Sequence, residues 1–330
     1  MRSVGRILGL AASLALVLLA VAGSQAAEPG ADPARRLEAV VRVHAEIPAD
    51  ARTAKLLGTT RDGSGVVIDD AGLIVTIGYL ITEAMGAEVT TAAGKVSRAE
   101  IIGFDTESGL GLLRAADPLE VRPMPIGTAN GLAERTPVIV AGHGGAEAAQ
   151  AAVVVSRRPF AGYWEYLLED AIFTAPPHPA WSGAALVTAD GNLAGIGSLI
   201  VGDADGGFPG NMFVPIDRLL PVMGDLIAFG RPSASRPWLG ANLQEMDGAL
   251  VVRRVAPDGP AEKAGIGHGD KVVAIDGSEV HDLGGLYRTL WASGAAGRTV
   301  KLTVTRHGEQ HDIDVKTIDR YRYLKLGTSY

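Results

Sequence analysis

Short apolar stretches, interrupted repeatedly by Gly, Pro, Asp or Asn, dominate the chain between about residues 40 and 200. The clearest of these stretches are 65–68, 73–76, 138–141, 152–156, 185–188 and 193–199. Strand-length runs separated by turn residues are typical of β-barrels and β-sandwiches. The pattern therefore predicts a β-rich first unit.

A different pattern follows Pro215. Apolar side chains recur with a helical period over 216–229 and predict a helix that closes the first unit. The Gly-, Ser- and Pro-rich segment 230–237 indicates a linker. A second unit of about 90 residues follows. It has strand-like runs at 250–255, 271–275 and 300–305. It also has one predicted helix, 282–292, with Asp282 as its N-cap.

The N-terminus has the pattern of a secretory signal. Arg2 and Arg6 precede an uncharged apolar run, 7–22, which small residues follow. The pattern predicts a signal peptide, residues 1–26, cleaved next to Ala26. The alternative is an uncleaved anchor, but the run is shorter than the about 20 residues that a membrane-spanning helix needs. Export of a chain without cysteine points to a bacterial periplasm.

Composition narrows the function further. The 330-residue chain carries a net charge of −7, the wrong sign for binding nucleic-acid phosphates. It has no cysteine, which excludes thiol catalysis, disulfides and cysteine-ligated metal sites. The seven histidines show no H-E-x-x-H spacing, and His307 and His311 flank a predicted hairpin turn. We therefore expect no metal and no cofactor.

The segment 261–277 carries a specific motif. It reads A-E-K-A-G-I-G-H-G-D-K-V-V-A-I-D-G. It resembles, without a gap, the A-x-x-A-G-L-x-x-G-D-x-I-x-x-I-N-G signature of PDZ domains. Gly265 is expected to end a short helix, and Asp276-Gly277 to form a hairpin turn. The resemblance implies a PDZ domain over 238–318, followed by a C-terminal tail, 319–330.

The PDZ resemblance implies a peptide-binding groove. The loop whose backbone N–H groups bind a peptide's C-terminal carboxylate in this family corresponds here to Trp238, Leu239, Gly240 and Ala241. An extended peptide would add to the strand that follows, beside Leu286 and Leu290 of the helix. The alternative is a place in the domain core, which we favour for Leu283 and Leu290, whereas for Leu286 and Tyr287 on the same helix both roles stay open.

The first unit contains a second recognisable motif. Residues 63–76, G-S-G-V-V-I-D-D-A-G-L-I-V-T, resemble the G-S-G-V-I-I-D-x-x-G-x-I-L-T segment that precedes the catalytic histidine in HtrA (Deg) proteases. The resemblance implies a chymotrypsin-like double β-barrel over 35–229. The expected fold of the chain is therefore mostly β, a double barrel followed by a PDZ domain.

Two of that family's three catalytic positions are substituted. In the family's register the histidine position holds Tyr79 and the aspartate position holds Gly109, whereas Ser182 retains the nucleophile position. A serine hydroxyl needs a base within about 2.6–3.2 Å to attack. A phenol with a pKa near about 10 is a poor base, and glycine cannot orient one. The resemblance therefore implies an unactivated serine.

The oxyanion loop, Ala180, Trp181 and Ser182, also departs from the family pattern. Ala180 stands where the family has glycine, and alanine resists a positive φ. Trp181 is bulkier than the family's asparagine. We expect its side chain to fill part of the substrate cleft.

Nearby titratable residues offer alternative chemistry. His143 and His178 are alternative bases for Ser182, but we expect ordinary loop residues, because chance proximity rarely provides aligned geometry. Asp105 and Glu107 lie next to the substituted aspartate position. We expect both to be solvated turn carboxylates.

These features favour binding over catalysis. We expect a periplasmic, proteolytically inactive HtrA-like protein whose PDZ domain binds exposed C-termini or unfolded polypeptide, as a chaperone-like protein or an adaptor. The resemblance implies a homotrimer or a hetero-oligomer with an active family member. The alternative is an endopeptidase or weak serine hydrolase that uses Ser182 with a non-standard base. A third interpretation makes the first domain a structural stalk for the PDZ domain.

Overall fold

Strands dominate the structure, as the sequence predicts. This computed structural model describes residues 33–326, so the predicted signal peptide lies outside the described residues. The strands form two closed barrels and a separate sheet that follows them. Between residues 33 and 326 there is no helix that is both long enough and apolar enough to cross a membrane.

The first barrel contains six antiparallel strands in the spatial order β1-β2-β3-β6-β5-β4. A short helix, α1 (Pro33–Leu37), precedes it, and α2 (Ala54–Leu57) connects its first two strands. The strands are β1 (Val40–Glu46), β2 (Thr60–Val67), β3 (Leu73–Ile77), β4 (Gly86–Thr90), β5 (Val96–Phe104) and β6 (Leu110–Ala115). All five residues of β3 are buried, so this strand crosses the centre of the core.

The second barrel also has six antiparallel strands, in the order β10-β11-β12-β9-β8-β7. They are β7 (Pro137–Ala141), β8 (Ala149–Gly162), β9 (Tyr166–Ala175), β10 (Ala185–Val187), β11 (Leu193–Asp205) and β12 (Phe208–Pro215). Strands β8 and β9 pair up to Gly162 and Tyr166, and three residues, 163–165, form the turn between them. This long hairpin is important for the arrangement of the third sheet.

The helix predicted over 216–229 is divided in the structure. A 3-10 turn (Ile216–Arg218) comes first, and the α-helix α3 (Leu220–Phe229) begins after Leu219. Pro221 is compatible with a first helical turn, where the missing N–H has no partner to lose, but not with a helix interior. The proline therefore sets the start of α3.

The third sheet belongs to the predicted PDZ region. Its strands run in the order β14-β15-β16-β18-β19, with β17 paired to β16, while β13 pairs with β20. The elements are β13 (Pro237–Trp238), β14 (Ala241–Met246), β15 (Ala249–Val255), α4 (Pro260–Lys263), β16 (Lys271–Ile275), β17 (Ser278–Glu279), α5 (Leu283–Ala292), β18 (Thr299–Arg306), β19 (Glu309–Lys316) and β20 (Ile318–Asp319).

Two local predictions for this region are confirmed. The Asp282 carboxylate accepts a hydrogen bond of 2.6 Å from the Gly285 N–H, as an N-cap does. Asp276 and Gly277 both have positive φ, 48° and 80°, in the turn between β16 and β17.

The residues after β20 attach the third sheet to the first barrel. The Tyr321 hydroxyl donates to the Phe104 carbonyl and accepts from the Thr106 N–H, both at 2.9 Å. In addition, Arg236 forms an ion pair of 2.8 Å with Glu107. Tyr321 is buried in the same core as the barrel strands, so the C-terminal segment is part of the packed structure.

Candidate functional site

Tyr79 and Ser182 meet between the two barrels. Tyr79 lies in a 3-10 turn (Gly78–Leu80) after β3, and Ser182 lies in the turn before β10. Their hydroxyl oxygens are 2.9 Å apart, and the Tyr79 hydroxyl also lies 2.9 Å from the Ser198 carbonyl oxygen on β11. The sequence predicts that Tyr79 and Ser182 share a site, and the structure brings their hydroxyl groups into contact.

Close backbone packing holds Ser182 in place. Its carbonyl accepts from the Ser64 N–H at 2.8 Å, which ties the turn to β2. The next residue, Gly183, has φ +73°, and a Cβ there would lie 1.8 Å from the Ser64 oxygen. Only glycine fits this position.

The hydrogen-bond pattern assigns the protons of the pair. A carbonyl oxygen only accepts, and the Tyr79 hydroxyl has a single proton. Both contacts are satisfied when Tyr79 donates to the Ser198 carbonyl and Ser182 donates to the Tyr79 oxygen. Burial raises the pKa of Tyr79 to about 12, against smaller lowering effects from hydrogen bonds with Ser182 and Trp181. The phenol is therefore neutral at physiological pH.

Gly109 contributes backbone alone. It has φ +80°, and its carbonyl accepts from the Gly78 N–H at 2.6 Å, next to the turn that carries Tyr79. A Cβ at Gly109 would face the ring of Tyr166, 3.5 Å away. The substituted position thus lies near the pair without a group that could orient a base.

The prediction that Asp105 and Glu107 are solvated turn carboxylates is wrong for Asp105. Its side chain is buried and accepts from the Glu107 and Ser108 N–H groups, both at 2.9 Å. These bonds stabilise the turn before β6. Because they satisfy both carboxylate oxygens, the side chain can be buried without a cationic partner. Glu107 is half-buried and ion-paired, and burial raises its pKa.

The oxyanion loop does not present both of its donors. In chymotrypsin-like folds the two donors are the N–H of the nucleophile and the N–H two residues earlier. Here the earlier one, the Ala180 N–H, donates to Nδ1 of His178 at 3.1 Å. Ala180 is absent from the residues with positive φ in the described chain. Its N–H is therefore already used within the loop.

Neither alternative histidine contacts Ser182. His178 is buried, its Nδ1 accepts from Ala180, and burial lowers its pKa, so the ring is neutral. Asn211 holds its backbone through bonds of 2.6 and 3.2 Å. The His143 side chain is exposed, and its backbone N–H donates to Ser64 Oγ at 3.1 Å. Among the described residues, Ser182 Oγ is hydrogen-bonded to the Tyr79 hydroxyl and to neither imidazole.

A second site lies in the third sheet. The N–H groups of Leu239, Gly240 and Ala241, three of the four predicted loop residues, all donate to the carboxylate of Glu165, at 2.6–2.9 Å. Glu165 belongs to the β8–β9 turn of the second barrel, and it is not predicted from the sequence. No local pattern marks it, because its partners lie far away in the chain.

The other predicted groove residues are packed differently. Leu286 and Leu290 are both 0% exposed within the PDZ core. Trp238 is buried, and its ring lies 4.7 Å from the ring of Tyr323. The structure thus uses the backbone of the loop for a polar contact and these three side chains for packing.

No metal-binding cluster occurs in the part of the chain that the structure describes. Nowhere between residues 33 and 326 do three or more His, Asp or Glu side chains converge.

The turn between β18 and β19 consists of His307, with φ 52°, and Gly308. The predicted hairpin turn between His307 and His311 is therefore present.

Two family models match the chain. Residues 63–196 match the trypsin-like peptidase domain, and residues 237–317 match the PDZ domain. The first range contains Tyr79 and Ser182, and the second contains the loop that holds Glu165.

Several proteases are similar over most of the chain. The putative serine protease HhoA of Synechocystis is 28% identical over 308 residues, which cover 82% of this chain and 73% of that protein. The probable periplasmic serine endoprotease DegP-like of Hahella chejuensis is 30% identical over 274 residues, 77% of this chain. The chain spans only 56% of that longer relative.

Solved structures share the fold. The HtrA-type protease AlgW with decapeptide superposes with a TM-score of 0.54 at 21% identity, covering 90% of this chain and 99% of that one. A second AlgW structure, with tripeptide, gives 0.54 at 24% identity, with 88% and 97% covered. The chain thus has a trypsin-like peptidase domain followed by a PDZ domain, and over most of its length it is similar to serine proteases of the HtrA type.

Proposed function

We propose that this protein is a proteolytically inactive HtrA-family member that binds polypeptide chain ends through its PDZ domain. The observation that carries the proposal is the 2.9 Å contact of Ser182 with the Tyr79 hydroxyl, where a serine protease needs a base. A phenol whose pKa is raised to about 12 stays protonated at neutral pH. It therefore holds the Ser182 proton in a hydrogen bond without removing it.

The oxyanion loop supports the same conclusion. Stabilisation of an oxyanion depends on N–H groups that are free to point at the developing charge. The Ala180 N–H is engaged by His178. Losing one such donor costs an enzyme about 10²–10³ in rate, in addition to the loss of the base.

The PDZ loop supports the binding part of the proposal. Three consecutive N–H groups, of Leu239, Gly240 and Ala241, converge on one carboxylate. This donor set matches the chemistry that captures the C-terminal carboxylate of a peptide. The corresponding clients are exposed C-termini or unfolded polypeptide, and the role is that of a chaperone-like protein or an adaptor.

The proposed setting is the periplasm. The N-terminal signal pattern supports this, and several relatives are named as periplasmic proteases. Assembly as a homotrimer, or with an active relative, belongs to the same proposal.

The alternative is a serine hydrolase that uses Tyr79 as its base, and the same 2.9 Å contact favours it. Fluorophosphonate labelling separates the two functions, because the probe reports an activated serine without a known substrate. The purified chain is treated between about pH 6 and pH 10, a range below the raised pKa of Tyr79 in which its small phenolate fraction grows about tenfold per pH unit. Ser182→Ala is the blank, and trypsin is the positive control.

We expect no labelling above the Ser182→Ala blank, while the thermal unfolding of the same sample shows a cooperative transition. Labelling that disappears in Ser182→Ala would demonstrate an activated serine and would overturn the proposal. Labelling that increases toward pH 10 would identify the phenolate as the base.

A further inference from the structure

The turn between β8 and β9 enters the carboxylate-binding loop of the PDZ domain. The Leu239 N–H donates to Glu165 Oε2 at 2.9 Å. The N–H groups of Gly240 and Ala241 donate to Glu165 Oε1 at 2.6 and 2.9 Å. One side-chain carboxylate therefore occupies all three donors that would hold the terminal carboxylate of a peptide.

The same turn occupies the place of a bound strand. The Leu243 N–H, on β14, donates to the Tyr163 carbonyl at 3.2 Å. Tyr163 is two residues before Glu165, and Leu243 is two residues after Ala241. Opposite steps along two chains are the register of an antiparallel pair. Residues 163–165 thus lie on β14 as an added peptide strand would.

Helix α5 holds the turn from the other side. The Tyr287 hydroxyl donates to the Gly162 carbonyl at 2.8 Å and accepts from the Glu165 N–H at 3.2 Å. Tyr287 is 0% exposed. Leu167, which follows the turn, is buried in the same apolar cluster as Leu286. Both walls of the groove are therefore in contact with the hairpin.

Glutamate is an unfavourable residue for this turn. The last residue of a three-residue hairpin turn adopts the left-handed conformation, which glycine or asparagine prefers. Glu165 has φ 57° and is 5% exposed. Strain at a residue whose side chain makes buried contacts indicates a role beyond the turn itself. The contacts of the carboxylate identify that role.

We propose that the β8–β9 hairpin is an internal ligand of the PDZ domain, and that a polypeptide C-terminus enters the groove only by displacing Glu165. The inference rests on the proposed peptide-binding function and adds its regulation. A competing ligand needs a free C-terminal carboxylate to replace Glu165. It also needs an extended backbone whose third-from-last carbonyl accepts from Leu243 in place of Tyr163.

The test uses four forms of the full mature chain: wild type, Glu165→Gln, Glu165→Gly and Asp170→Asn. Gln keeps the size of the side chain but directs an NH₂ group at an N–H donor. Gly removes the carboxylate and relieves the left-handed strain, so this variant keeps the turn. Asp170→Asn removes the same charge from a partly exposed position on the same hairpin, where the partner Arg218 lies outside the PDZ domain, and it is the matched control.

The first measurement is amide hydrogen exchange of the peptide that contains residues 239–243. We expect exchange at least about tenfold faster in Glu165→Gly than in wild type or Asp170→Asn, because the three N–H groups lose their acceptor, and a smaller increase in Glu165→Gln, which keeps one of the two acceptor oxygens. Unchanged exchange in Glu165→Gly would overturn the internal ligand, whatever the protein binds.

The second measurement is retention of a pool of decapeptides randomised at the last four positions, with a free C-terminal carboxylate or with an amide. We expect retention of the free-carboxylate pool to increase at least about tenfold in the Glu165 variants and to change only a few-fold in Asp170→Asn. Equal retention by wild type and Glu165→Gly would overturn the displacement and leave the proposed binding function intact. Fast amide exchange of residues 239–243 in Glu165→Gly, without retention of the free-carboxylate pool, would confirm the internal ligand and overturn peptide binding as the function.

Discussion

Arg288 of α5 and Glu169 of β9 join the PDZ helix to the hairpin through two parallel hydrogen bonds of 2.7 and 2.8 Å. Both side chains are about half exposed. The Arg288 guanidinium lowers the pKa of Glu169, so the carboxylate is ionised at neutral pH. Glu169 lies four residues after Glu165, and Arg288 follows Tyr287, whose hydroxyl accepts from the Glu165 N–H.

We expect Arg288→Gln to have a small effect on stability. An exposed ion pair contributes about 0.2–1 kcal/mol, because water screens it and both side chains lose entropy. The free energy of unfolding from urea titration should fall by no more than about 1 kcal/mol, and the difference from wild type should vanish in about 1 M NaCl. A larger, salt-independent loss would mean that the pair controls docking of the hairpin.

Tyr79→Phe tests the hydroxyl pair. The substitution keeps the ring but leaves the Ser198 carbonyl without its donor, and we expect a loss of about 1–2 kcal/mol in the free energy of unfolding. Tyr163→Phe is the control, because the Tyr163 side chain is 55% exposed. Equal unfolding midpoints for Tyr79→Phe and wild type would contradict the assigned hydrogen bond.

Gly183→Ala tests the close packing of the Ser182 turn. A Cβ would lie 1.8 Å from the Ser64 oxygen, in addition to the strain of φ +73°. Gly206, with φ +61° and open space around its Cβ position, is a matched control that carries only the strain. We expect Gly183→Ala to lose about 1–3 kcal/mol more than Gly206→Ala in thermal unfolding. Similar losses for the two variants would show that the turn can move away from β2.

Peptide binding should depend on pH through Glu165. Burial raises the pKa of Glu165 in the closed groove to about 7, against the lowering effects of the three loop amides and Arg320. The ordinary pKa of a free glutamate is 4.5. The closed form therefore binds a proton more tightly than the displaced form, and its advantage is present at low pH and is lost as the pH rises through 7.

The direction of this effect is measurable. The groups that face Glu165 are Arg320, whose charge does not change in this range, and Tyr287, whose pKa burial raises above its ordinary value. A peptide carboxylate stays ionised above about pH 5. We expect affinity for the free-carboxylate decapeptide pool to increase at least about tenfold from pH 5 to pH 8 in wild type and to stay constant in Glu165→Gln. The same slope in both proteins would assign the pH dependence to another group.

Much of the fold follows from short-range patterns in the sequence. Alternating apolar runs and turn residues predict the barrel strands, and the gapless motif at 261–277 predicts the PDZ region, because these signals depend on neighbours a few residues apart. Pro221 shows the limit of the helical pattern, since one proline moved the start of α3. The family motifs also predict that Tyr79 and Ser182 share a site, because the family's catalytic positions converge there.

Short-range patterns could not predict the contacts that decide whether a backbone donor or a carboxylate is free to bind a ligand. The Ala180 N–H turns toward His178, and the Asp105 side chain is buried, because the loop conformation sets where a backbone donor or a carboxylate points. Glu165 is the clearest example. More than seventy residues separate it from its three amide partners, and no periodicity or motif links a turn glutamate to a loop at that distance. The short-range motifs predict the two domains and the loop 238–241. The contact of the chain's own carboxylate with that loop arises from packing between distant segments, because it needs the β8–β9 turn to lie on β14.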